Sequence, residues 1–163
     1  MNSTRNISVS FTGHRNYAGE ADTALHKTLE QLYDEGFTRF LCGMAWGFDL
    51  AAGEAVLELR ARHSEVELVA VVPYAEFSKL FRGDDLARYN RVAECADEVV
   101  VVSDNGGDAA FRRRNDYLVD NASIVVAWFD GAPRGGTAYT VRRARRSHLP
   151  VVNLMHNPQL ELF

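Results

Sequence analysis

Two short stretches of this chain carry residue types and spacing suited to holding an anion. The first is Cys42-Gly43-Met44-Ala45-Trp46-Gly47-Phe48-Asp49, where two glycines separate a β-type run, 38–41, from a helical run ending near His63. The second is Asp130-Gly131-Ala132-Pro133-Arg134-Gly135-Gly136-Thr137, which follows another β-rich run. A strand that passes through glycine into a helix leaves the first N–H groups of that helix unpaired, at the positive end of its dipole. Glycine also lets another group approach the backbone closely. Phosphate on those N–H groups, with the Thr137 hydroxyl adding a bond, is the chemistry this pattern serves. The plainer reading is that strand-to-helix connections need Gly and a Thr N-cap. Two such loops on one edge of a sheet favour phosphate binding.

Other side chains group with these loops. Arg15, in Thr12-Gly13-His14-Arg15, can pair with phosphate bidentately or stand as a surface arginine. His14 can donate to a ligand, act as an acid or base, or be a loop histidine with no catalytic role. Asp49 can accept bonds from ribose hydroxyls, or stabilise its helix from the first turn. Asn115 falls on the same helical face as Phe111 and Leu118, so it turns inward and needs hydrogen-bond partners, from a loop or a ligand. The run Arg112-Arg113-Arg114 can reach an anionic ligand, or stand as a solvated face. Arg142, Arg143, Arg145 and Arg146 lie late in their helix and read as surface or interface residues. The five His show no metal-ligand spacing, which predicts no metal site.

The elements that must position these residues are legible from hydrophobic period. Strands are expected at 7–11, 37–41, 68–72, 98–102, 124–129 and 150–154. Helices are expected at about 19–35, 48–63, 109–121 and 137–147, with one or two more over 75–96, broken near Gly83 with Asp84 as a possible N-cap. Alternation of strand and helix predicts an α/β fold, Rossmann-like and doubly wound, with a mostly parallel sheet of about six strands and helices on both faces. The loops at 12–15, 42–49, 73–74, 103–107 and 130–137 all follow strand C-termini, so they are expected to meet along one edge, where open α/β sheets bind ligands. Residues 1–158 read as a single domain and 159–163 as a C-terminal tail.

Composition bounds the function. The chain has 163 residues, 47% hydrophobic and 25% charged, ordinary for a globular domain. No apolar run approaches a membrane span. The N-terminus lacks an apolar signal core, which predicts a cytoplasmic protein. Cys42 and Cys95 are expected as reduced, buried thiols. The net charge of −4 argues against a general nucleic-acid binder. It is unevenly spread: residues 111–150 hold eight Arg against three Asp, whereas residues 1–110 hold ten Lys/Arg against eighteen Asp/Glu. There is no GxxxxGK[ST], no GxGxxG in the first strand-to-helix turn and no Gly-x-Ser-x-Gly, which sets aside P-loop, ordinary dehydrogenase and α/β-hydrolase readings.

Thr12-Gly13-His14-Arg15, then Gly43-x-Ala45-x-Gly47-x-Asp49-x-x-Ala52, then Arg114-Asn115…Asp120 and Gly135-Gly136-Thr137 resemble the SLOG superfamily, nearest its YpsA-like branch. The resemblance spans roughly residues 6–155. Its G-x-A-x-G-x-D element is similar to that of DNA-processing protein A, and its Gly135-Gly136-Thr137 loop to the phosphate loop of the lonely-guy hydrolases. The resemblance implies a Rossmann-like module that senses or processes a nucleotide or nucleotide-derived ligand of the ADP-ribose or NAD type. It places the ligand on Gly13, Arg15, Gly43, Gly47, Asp49, Asn115, Gly135, Gly136 and Thr137, and implies no further cofactor. The lonely-guy loop carries a catalytic Glu where this chain continues Ala138-Tyr139-Thr140-Val141. Two other readings stand beside the binding module. One is a hydrolase cutting an N-glycosidic or phosphate bond, with Asp49 or Asp130 as its carboxylate. The other is an adaptor for single-stranded DNA or the sliding clamp, since Gln159-Leu160-Glu161-Leu162-Phe163 resembles the clamp-binding pentapeptide. Packing of Leu160, Leu162 and Phe163 on the domain, or on a second subunit of a homodimer, is the alternative for that tail.

Overall fold

A computed structural model describes residues 3–155 of the chain. The expected tail at 159–163 lies outside them. The strands are β1 (Ser8–Gly13), β2 (Arg39–Cys42), β3 (Glu67–Val72), β4 (Glu98–Val101), β5 (Ile124–Trp128) and β6 (Val151–Asn153). The α-helices are α1 (Asp22–Asp34), α2 (Phe48–Arg62), α3 (Gly83–Cys95), α4 (Asp108–Asp120) and α5 (Gly136–Arg146), with a 3-10 turn at Phe77–Leu80 before α3. The strands pair in the order β4-β3-β2-β1-β5-β6, and every pair is parallel.

Strand alternation divides the core into two faces. Val9, Phe11, Phe40, Leu68, Ala70 and Val126 meet Leu25, Leu29, Leu59 and Val92 of α1, α2 and α3. On the opposite face, Leu41, Val69 and Val71 meet Leu118 of α4, and Val125 meets Ala144 of α5. Helix α2 lies between α1 and α3 over the centre of the sheet. It is therefore buried nearly all round, from Phe48 and Leu50 to Val56 and Leu59. A Cβ on Gly53 would sit 2.9 Å from Val92 Cγ1, so this glycine sets how closely α3 packs.

β1 alternates Ser8, Ser10 and Thr12 with Val9 and Phe11, yet all five are buried. The polar face is satisfied rather than solvated: Ser10 Oγ donates to the Leu118 carbonyl at 2.6 Å, and Ser8 Oγ to that of Thr4.

Three sequence expectations need correction. Cys42 is buried as expected, but Cys95, the last residue of α3, is exposed, and the buried residues of that helix are Tyr89 and Val92. Helix α1 starts at Asp22 rather than Gly19, since Gly19 takes φ +99° and its carbonyl accepts the Asp22 N–H in a turn. The five loops do not all meet. β3 and β4 lie two and three strands from β1, so the loops that follow them converge on each other, with the Tyr74 ring against Gly106 and Phe111. Only the loops after β1, β2 and β5 reach a common cleft.

Candidate functional site

The chain climbs outward from β1 through β4, then α4 carries it back across the sheet to β5 on the other side of β1. The connections leaving β1 and β5 therefore part, and a crevice opens at the C-terminal edge between them, as doubly wound topology requires. A cleft of about 440 Å³ occupies it. Gly13, His14, Arg15, Asp49, Asn115, Gly135, Gly136 and Thr137 line it, together with Thr12, Ala45, Arg114 and Arg134.

Two further expected residues, Gly43 and Gly47, shape the cleft from beneath. A Cβ on Gly47 would lie 2.5 Å from the Arg15 carbonyl oxygen, and one on Gly13 would lie 2.5 Å from the Phe48 side chain. The turn after β1 therefore rests directly on the turn after β2, tied by the Phe48 N–H donating to the His14 carbonyl at 3.2 Å. Gly47 also takes φ +84°, and buried Met44 takes φ +67° in the same loop. A non-glycine residue in that region is strained and is held there by its surroundings. Its neighbour Trp46 packs on Phe81 and carries the Arg15 guanidinium 4.4 Å above its ring, a cation–π contact at the mouth of the cleft.

Asp49 forms part of the floor and is 6% exposed. Its Oδ2 accepts the Ala45 N–H at 3.3 Å, while the buried Oδ1 has no hydrogen-bond partner among the described residues. Burial pushes its carboxyl up to about 6, against the opposing pull of Arg114, the Ala45 N–H and Arg15.

Arg114, which sequence reasoning left out of the expected site, proves to be part of it. The solvated-face reading holds for Arg112 and Arg113, which are exposed, but Arg114 is 6% exposed and faces the sheet. Its Nη1–H donates to the Gly43 carbonyl and its Nε–H to Asn115 Oδ1 at 2.9 Å. Burial lowers its pKa, and the nearby Asp49 charge opposes that shift. The signal was available: Arg114 precedes inward Asn115 and lies four residues before Leu118, on the buried face of α4.

At the opposite wall α5 begins at Gly136 with no side-chain cap, and Gly135 at φ +109° turns the chain into it. Its first N–H groups are thus left for water or a ligand. Thr140 Oγ1 bonds back to the Gly136 carbonyl at 2.9 Å and steadies this turn, whereas Thr137 is not an N-cap. His14 Nε2 lies 3.0 Å from Asp130 Oδ1 and accepts the Asp130 N–H at 3.1 Å, joining the β1 and β5 lips. Asp130 is half exposed and does not line the cleft, and the Ala132 N–H lowers its pKa first of all, with His14 adding to the effect. Arg142 and Arg143 lie outside the cleft, one bonded to the Pro133 carbonyl and the other paired with Asp116 and Asp120. Among the described residues there is no cluster of ligating side chains for a metal, and no helix long and apolar enough to cross a membrane.

Comparison with known proteins gives one family and one fold. A family model described as YspA SLOG family matches residues 10–152. The uncharacterised SPbeta prophage-derived protein YoqJ of Bacillus subtilis is 28% identical over 132 residues, 74% of this chain and 77% of its own. DNA processing protein A (DprA) from Streptococcus pneumoniae superposes with a TM-score of 0.65 at 18% identity, over 91% of this chain and 50% of its own. This chain thus spans half the length of that one. The Chlamydomonas rheinhardtii Moco carrier protein superposes with a TM-score of 0.57 at 20% identity, over 98% of this chain and 82% of its own.

Proposed function

The chain belongs to the YspA SLOG family, and from that premise we propose that its cleft holds a nucleotide or nucleotide-derived ligand by a phosphate group. The observation that carries this reading is the imbalance of the cleft. Arg15, Arg114 and Arg134 converge with the uncapped α5 turn on a space whose lining holds one carboxylate, Asp49. Donors preorganised on rigid elements favour a group rich in acceptor oxygens. Gly135, Gly136 and Thr137 take the phosphate, Arg15 neutralises it, and Gly13, Gly43 and Gly47 keep the opposite wall low enough for the ligand to lie across β1. Asp49 takes a ribose hydroxyl once its carboxylate turns toward the cleft. The fold neighbours include a Moco carrier protein and a DNA processing protein.

Thermal-shift titration with AMP, ADP-ribose, NAD and a single-stranded oligonucleotide tests the reading. A bound ligand at a hundredfold excess over Kd adds about 2.7 kcal/mol of stability. Stabilisation by a nucleotide that Arg15→Ala removes supports the proposal, and no stabilisation at millimolar ligand defeats it. Stabilisation by the oligonucleotide alone supports the adaptor reading instead.

A second reading rests on His14, an imidazole in the cleft lining held by Asp130. In it, water adds across an N-glycosidic or phosphate ester bond, with His14 moving the proton. Release of free base or inorganic phosphate from the stabilising nucleotide supports it, and quantitative recovery of intact nucleotide eliminates it.

A further inference from the structure

An amide side chain has the same shape whichever way it faces, so its partners decide where the oxygen and the NH2 group point. For Asn115 the decision falls to Arg114. A guanidinium has donors and no acceptor, and Arg114 Nε–H lies 2.9 Å from one end of the Asn115 amide. That end is the oxygen. The NH2 group is therefore turned to the other side, where it lies 3.7 Å from the position a Gly136 Cβ would take. Asn115 is 8% exposed and lines the cleft, and its Nδ2 has no hydrogen-bond partner among the described residues. A donor that faces the cleft beside an uncapped helix start, with no acceptor from the chain, takes one from water or from a ligand.

The Arg114 side chain is itself fixed. Nη1 is held by the Gly43 carbonyl, and a Cβ on Gly43 would press to 2.9 Å from Arg114 Cδ. Gly43 thus makes the room through which Arg114 passes, and Asp49 supplies the opposite charge. A physical chain runs from the glycine turn after β2, through Arg114 and Asn115, to the glycine turn that opens α5.

Resting on the phosphate-holding reading above, we propose that Arg114 is a positioning residue that fixes the Asn115 amide with its NH2 group toward the α5 turn, making Asn115 a preset donor for an acceptor-only anion such as a terminal phosphate. The arrangement selects against a ligand end that presents its own donors, such as an ammonium group.

Inorganic phosphate is the probe. Wild type, Asn115→Asp and Arg114→Lys are titrated, following melting temperature and the Asn115 side-chain NH2 resonances, identified by their loss in Asn115→Asp. In wild type, phosphate shifts those resonances. Asn115→Asp gives Arg114 a carboxylate partner, so it melts at or above the wild-type temperature. It also turns an acceptor toward the anion, so phosphate binds at least about tenfold more weakly. Arg114→Lys lacks the Nε–H and loses a similar factor; should it fail to fold, Asn115→Asp decides alone. If phosphate perturbs other cleft residues while leaving the Asn115 resonances still, or binds Asn115→Asp within about twofold of wild type, the inference falls and the cleft reading stands. If phosphate perturbs no cleft residue in wild type, that reading fails and takes the inference with it.

Discussion

Two clefts of similar size open on this molecule, and they differ in how their polar groups are spent. One is the β1–β5 crevice of about 440 Å³; the other, about 390 Å³, lies among α1, α2 and α3 and is lined by Tyr17, Asp22, His26, Glu54, Glu58 and Arg88 among others. In the second, the charged walls are paired internally. Arg88 binds Glu54 through two of its nitrogens, His26 faces Glu58 at 3.6 Å, and Tyr17 OH donates to Asp22 at 2.5 Å. In the first, Asp49 Oδ1 is buried without a partner, and the Asn115 NH2 group and the uncapped start of α5 face the cleft. Concavity alone does not mark a site; groups desolvated without a partner do, because the fold has left their cost uncovered.

The largest blow to this contrast is Gly47→Ala. Its Cβ would strike the Arg15 backbone at 2.5 Å in a left-handed conformation, so the two stacked turns must separate. A loss of more than about 3 kcal/mol in chemical denaturation is expected, together with loss of nucleotide stabilisation.

Asp49→Asn comes next. The folded-state pKa of about 6 lies above that of an unfolded Asp near 3.8, so the native state holds the proton more tightly. Wild type therefore loses stability as pH rises from about 4 to about 6, by up to roughly 3 kcal/mol at about 1.4 kcal/mol per unit. Asp49→Asn retains an acceptor for the Ala45 N–H and lacks that slope. Urea melts from pH 4 to 8 should show the variant overtaking wild type above pH 6. Parallel curves would mean that Arg114 fully compensates the charge.

Gly135→Ala is smaller. Nothing lies within 4 Å of the added Cβ, so the change costs only the strain of φ +109°, about 1–2 kcal/mol. Because the turn positions the α5 N–H groups, phosphate affinity should fall with it. Glu54→Gln is the smallest. It breaks a partly exposed ion pair in the second cleft, worth less than about 1 kcal/mol. It should leave nucleotide affinity within about twofold of wild type, an energy below about 0.4 kcal/mol. A larger effect would break the distinction between the two clefts.

Much of this was readable from the chain. The 3.6 and 2.0 periods gave six strands and the main helices to within a few residues, because apolar alternation and glycine punctuation act locally. The glycine turns could be assigned to strand C-termini for the same reason. The 3-10 turn and α3 over 77–95 were blurred, since Phe77, Phe81 and Tyr89 pack as an aromatic cluster whose spacing follows no single period. The divergence of the 73–74 and 103–107 loops was hidden, because it depends on which strands are neighbours.

Sequence by itself determined the α/β class, the parallel sheet and the placing of the glycine turns at strand C-termini, because each rests on local pattern. Tertiary structure decided the strand order, and with it which three of the five loops meet. It also decided the fate of Arg114. In the chain it is the third of three consecutive arginines. The helical period turns Arg114 inward with Asn115 and Leu118, but the partners that receive its charge, the Gly43 carbonyl and Asp49, lie some 65 to 71 positions away and are brought to it by the fold.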